Sequence, residues 1–122
     1  MAIGFTQKHI EQLLLENLTA EQFLSLAIET STLLGWIFGD ISNTGFIAYT
    51  NNGLFSWNAE VKLKIKDRLA NLQSQSRGDD IIDLRENKKN LMSFVSTFKD
   101  LKKIFTPEEL ASKYEDLKVN FI

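Results

Sequence analysis

Three aspartates at i, i+1 and i+4, in Asp79-Asp80-Ile-Ile-Asp83, come closest to metal chemistry by type and spacing. Clustered carboxylates suit hard divalent cations, which take oxygen ligands and can bridge to a diphosphate. Enzymes that use such a run hold it on a helix and oppose it to a second acidic motif across a deep cavity. Here it follows a strand-like segment and has no counterpart, so the expectation is a solvated turn with no metal and no cofactor. The overlapping Arg77-Gly78-Asp79 is an adhesion tripeptide in secreted proteins, but any given tripeptide also arises by chance. Gly78 has the simpler role of letting the chain turn after a strand.

The remaining catalytic options are thin. His9 is the single histidine and there is no cysteine, which excludes thiolate chemistry, disulfides and cysteine-rich zinc sites. His9 sits among Lys8, Glu11 and Gln12 and reads as a surface histidine. Gly35 and Gly39 flank a tryptophan strand and do not precede a helix, so no glycine-rich phosphate loop is present. The chain is therefore expected to be non-enzymatic.

Binding residues are more plausible. Lys62, Lys64 and Lys66 alternate along one strand, and a helix further on adds Lys88, Lys89, Lys99, Lys102 and Lys103. If those two surfaces adjoin, they form a cationic patch suited to anionic headgroups, each lysine contributing ~1 kcal/mol at a charged bilayer, and the same face could bind a partner protein. Trp57, in Leu-Phe-Ser-Trp-Asn-Ala-Glu beside a turn, is the aromatic candidate for the same surface. A net charge of −2 argues against non-specific nucleic-acid binding, because little positive charge is available to displace counterions.

The elements that must position these residues follow from periodicity. Ile10, Leu13, Leu14 and Leu18 recur at helical intervals and predict a first helix, an extension over residues 1–19 preceding a core domain over 20–122. Thr19-Ala-Glu-Gln22 has the hydroxyl and amide of a capping box, so a second helix starts near Ala20 and stops near Gly35. Short β-rich runs then follow at Trp36 to Ser42 and Phe46 to Thr50, divided by Asn43-Thr44-Gly45. Glu60 to Lys66 alternates charged and apolar residues without exception, and Leu69 to Ser76 is the last strand. Leu91, Phe94, Val95, Phe98, Leu101 and Phe105 define a long amphipathic helix, and Thr106-Pro-Glu-Glu109 opens a short final one. The expected fold is a single α+β domain with two N-terminal helices, a four-stranded antiparallel meander, the long helix and the short helix. Its sheet and long helix could enclose an apolar ligand or lipid.

Between the last strand and the long helix, Ser74, Ser76, Asp83, Asn87 and Asn90 offer short polar side chains. Their expected task is to join strand to helix by bonding local backbone and each other.

Several of these stretches together carry a resemblance. Leu34-Gly-Trp36, Ile47-Ala-Tyr-Thr50, Leu54-Phe-Ser-Trp-Asn-Ala-Glu60, Ser74 and Ser76, Asp83 with Asn87-Lys-Lys-Asn90, and Phe105-Thr-Pro-Glu-Glu-Leu110 resemble an uncharacterised bacterial domain found next to rhomboid-family membrane proteins. The Ser-x-Ser-Arg strand end followed by Asp, Asn and a helix is also similar to a wider bacterial domain family of unknown function. The chain departs from the rhomboid-associated pattern at Leu84-Arg85-Glu86, where that pattern turns on a glycine. The resemblance implies a membrane-protein partner and no rhomboid catalysis, since the intramembrane serine and histidine have no counterpart here. The longest apolar stretch is well short of the ~20 residues of a spanning helix, and no export signal is visible, so a cytoplasmic location is expected.

Overall fold

The computed structural model describes residues 8–50, 59–76 and 84–121. Five strands, β1 (Lys8–Leu14), β2 (Ile37–Ser42), β3 (Gly45–Tyr49), β4 (Ala59–Lys66) and β5 (Leu69–Ser76), form one antiparallel sheet in the order β1-β5-β4-β3-β2. Three helices, α1 (Ala20–Leu33), α2 (Leu84–Lys102) and α3 (Pro107–Leu117), complete the α+β fold, with a 3₁₀ turn at Lys118–Asn120. The expected arrangement of two N-terminal helices and four strands is thus corrected. Residues 8–14 are a strand within the sheet, not a helical extension beside it.

The physical reason lies in β5. Its inward residues Ala70, Leu72 and Ser74 are fully buried, and its backbone groups on the side away from β4 need hydrogen-bond partners. β1 supplies them, in register from Lys8 opposite Gln75 to Leu14 opposite Leu69. Local helical spacing loses to this non-local pairing. Glu16, at φ 57°, then turns the chain sharply, and the amide of Leu18 closes onto the carbonyl of Leu15.

The other elements follow their local chemistry. The Thr19 hydroxyl accepts from the Gln22 amide at 3.1 Å while the Gln22 side chain accepts from the Thr19 amide at 2.9 Å, completing the capping box of α1. At the other end, Gly35 (φ 80°) donates to Thr32 and Trp36 donates to Ser31, the double closure of a Schellman motif. Thr106 and Glu109 cap α3 in the same reciprocal way, with Pro107 at its first position. Asp67 and Arg68, both at positive φ, make the two-residue hairpin between β4 and β5.

Alternation decides the two faces of the sheet. Ala59, Val61, Leu63 and Ile65 of β4 point inward, as do Phe46 and Ala48 of β3. Against them lie Phe23, Leu26 and Ala27 of α1 and Leu91, Phe94 and Phe98 of α2 in one core. Phe98 sits between Phe23 (centroids 4.7 Å apart) and Phe94 (5.8 Å), and Trp36 stacks on Phe94 at 5.9 Å. Such ring contacts contribute ~0.5–1.5 kcal/mol each beyond area burial. All three helices lie on this side. Among the described residues, nothing covers the opposite face.

Candidate functional site

That uncovered face carries the alternating lysines. Lys62, Lys64 and Lys66 are exposed and project from β4, near the middle of the sheet. Lys62 stands between Ile47 and Gln73, Lys64 between Gly45 and Asn71, and Lys66 opposite Leu69. Only Lys62 has a carboxylate close by, Glu60 at 3.4 Å; Lys64 and Lys66 have no ion-pair partner among the described residues. Beside the lysines runs a strip of amides. Gln73 donates to Gln75 at 3.1 Å, and Gln12 of β1 donates to Asn71 at 2.9 Å. Where β2 and β3 curve toward β4, an open concavity of about 400 Å³ is lined by Asp40, Ser42, Thr44, Ile47, Lys62 and Lys64.

The second half of the expected cationic surface is elsewhere. α2 packs on the inner side of the sheet against β1 and β5, so exposed Lys88 and Lys89 belong to the opposite side of the molecule from Lys62, Lys64 and Lys66. The two sets do not adjoin. Sheet topology explains this, since alternation alone could not say which face the helix would take. Trp57 lies outside the described residues, as do Asp79, Asp80 and Asp83.

The residues expected to join strand to helix are placed as follows. Ser74, fully buried on the inner face of β5, donates its hydroxyl proton to Asn87 Oδ1 at 2.8 Å and accepts from Asn90 Nδ2 at 3.2 Å. Asn87 and Asn90 are three apart, on one face of α2, and Asn87 is fully buried as well. Ser76 ends β5, but its side chain, like Asp83, lies outside the described residues.

His9 is half-buried on the inner side of β1, opposite Ser74, rather than at the surface. Its Nε2 pairs with Glu11 Oε2 at 2.7 Å. A serine, a histidine and a glutamate therefore lie close together, yet the contacts are wrong for nucleophilic catalysis. The serine proton goes to Asn87 and the histidine nitrogen to a carboxylate, so the hydrogen bond from nucleophile to base that such chemistry needs is not formed. Among the described residues no group of three or more metal-ligating side chains gathers.

Sequence reasoning missed the contribution of β1 to the uncovered face: Lys8, Ile10, Gln12 and Leu14, aligned with Gln75, Gln73, Asn71 and Leu69. The available signal was β5, whose small and apolar inward residues Ala70, Leu72 and Ser74 mark it as a central strand rather than an edge.

No family model, no curated protein and no solved structure matches this chain. Among the described residues no helix is long and apolar enough to cross a membrane.

Proposed function

We propose that the chain is a non-enzymatic, cytoplasmic binding module that docks an acidic surface of a protein partner onto its uncovered sheet face. One observation carries this reading: Lys62, Lys64 and Lys66 stand in line on one strand near the middle of the sheet, and the last two have no ion-pair partner among the described residues. The amide strip beside them can read out polar groups at register spacing, and the concavity at Asp40, Ser42 and Thr44 offers hydroxyls at one end. A bilayer alone is the weaker occupant. Three lysines at ~1 kcal/mol each give marginal membrane affinity, and the lysines of α2 face away from the same plane. The resemblance to a domain beside rhomboid-family proteins supports a membrane-protein partner, whose cytoplasmic acidic segment would meet this face.

The apolar-ligand alternative draws no comparable support. The space between sheet and helices is filled by Phe23, Leu26, Leu72, Leu91 and Phe94, all fully buried.

Nanodiscs test the proposal. Titrating the labelled chain with neutral discs carrying a rhomboid-family protein is expected to broaden amide signals of β3, β4 and β5, and Lys62→Glu with Lys64→Glu should abolish this. Broadening by empty anionic discs alone would reassign the face to lipid. No change with any disc sinks the reading.

A further inference from the structure

The edge strand β1 presents a pairing surface of its own. Leu15 donates to the Arg68 carbonyl at 3.1 Å, and the register continues as Leu13 opposite Ala70, Glu11 opposite Leu72 and His9 opposite Ser74. In an antiparallel ladder, hydrogen-bonded pairs alternate with non-bonded ones. The odd-numbered residues therefore spend their backbone groups on β5. The N–H and C=O of Lys8, Ile10, Gln12 and Leu14 point out from the sheet.

Edges of this kind are often guarded by a bulge or a proline, and the inward charge that can do the same is here, on Glu11, already paired with His9. β1 is straight for seven residues, and two of the four outward-bonding residues are exposed and apolar, Ile10 at 49% and Leu14 at 70%. Beside it, Leu13, Val95 and Phe98 line a groove of about 280 Å³ between β1 and α2, rimmed by Glu16, Lys99 and Lys102.

We infer that the occupant of this edge is a second copy of the chain, paired antiparallel through β1 about a two-fold axis at Gln12. Several registers place outward-bonding residues opposite one another across such an axis; centring on Leu13 would set Leu14 against Gln12 and Ile10 against the turn at Glu16. Centring on Glu11 sets two carboxylates face to face, and centring on Ile10 leaves Leu14 without an apolar neighbour. Centring on Gln12 pairs Ile10 with Leu14 of the other copy, twice, so that both exposed apolar positions find complements within the strand. Gln12, whose Nε2 is held by Asn71, then turns its free Oε1 toward the other copy's Gln12. Three bonded pairs supply about six main-chain hydrogen bonds, and the two sheets become one continuous sheet whose lysine rows share a side.

Sedimentation equilibrium and hydrogen exchange of the full chain test this. A concentration-dependent dimer is expected, in which the amides of Ile10, Gln12 and Leu14 are protected at high concentration and exchange freely on dilution. Ile10→Lys and Leu14→Glu, both at exposed positions, should each weaken the dimer at least tenfold while the spectrum of the folded monomer persists. The double variant Ile10→Lys/Leu14→Glu should regain dimerisation, because in this register the new cation faces the new carboxylate of the other copy. A chain that stays monomeric at millimolar concentration overturns the inference and leaves the edge to an extended segment of another protein. A dimer in which those three amides stay unprotected, or which the single variants do not weaken, overturns it too.

Discussion

At the β2 edge of the sheet the ladder to β3 shifts register between Phe38 and Ile41, with Gly39 and Asp40 in the gap, whereas the β1 edge runs straight from Lys8 to Leu14. Both are outer strands of one sheet, yet they are secured differently. β2 is half of a local hairpin, three residues from its partner at Ser42 and Gly45, and its bulge breaks the row of outward backbone groups. β1 has no local partner. It is tied down by β5, by α2 above it and by contacts made far along the chain, and its outward backbone groups stay regular. An irregular edge resists a second strand, and a regular one invites it.

The largest expected effect breaks the β2 side. A Cβ on Gly45 would come 1.8 Å from the Leu63 carbonyl oxygen, a backbone atom that cannot step aside. Gly45→Ala should therefore cost about 3 kcal/mol or more, in the upper tail of single substitutions. Urea denaturation measures it, and a cost below about 1 kcal/mol would mean that close backbone approach does not hold this hairpin to β4.

On the β1 side the corresponding break is Asn87→Ala. It leaves the buried Ser74 O–H without its acceptor, although Asn90 still donates to that oxygen, and should cost about 1–3 kcal/mol, with amide exchange rising in β5 and β1 and unchanged in β2. Combined with Ser74→Ala the losses should be less than additive, since both remove one interaction. Additive losses would show that the two residues act separately.

A smaller effect separates turn from edge. Arg68 adopts a left-handed conformation that favours glycine, yet its guanidinium donates to the Glu16 carbonyl at the end of β1. Arg68→Gly should shift overall stability by less than about 1 kcal/mol, as relief of backbone strain offsets the lost bond. Exchange at Leu13 and Leu15, whose amides bond to β5, should nevertheless accelerate, and an unchanged rate would detach this bond from the security of β1.

The smallest effect is one of pH. Lys102, hydrogen-bonded to Glu16 at 2.6 Å, lowers that carboxyl below its ordinary 4.5, with its charge adding to the effect. A depressed carboxyl contributes stability that is present above its ordinary value and lost as pH falls through the lowered folded value. Because Glu16 is solvent-exposed, the contribution is slight. Carboxyl-carbon NMR should find its midpoint below 4.5 in the native chain and returning toward 4.5 in Lys102→Met.

The contrast between edges also divides what could be read from the residues alone. The strands from β2 to β5, the three helices, both capping boxes and the closing glycine follow from interactions within a few positions, such as Thr19 with Gln22 or Asp67 with Arg68. β1 did not, because Ile10, Leu13 and Leu14 satisfy a helical period as well as a strand. The deciding partner, β5, lies more than fifty residues away. The lysine row on β4 was visible as alternation. Its separation from Lys88 and Lys89 was not, since that depends on which face α2 covers. Ser74 with Asn87 and Asn90 could be proposed as a group from their short polar side chains, but the direction of each bond required coordinates.

The distance along the chain between β1 and β5 has a consequence during synthesis. At ~5–20 residues per second, the ribosome completes Leu14 roughly three to ten seconds before it reaches Leu69. Through that interval a leucine-rich segment exists with nowhere in its own chain to pair, long enough for a chaperone to engage it. β1 is thus made ahead of every other described element and, by the location of its partner, cannot dock until β5 has been made.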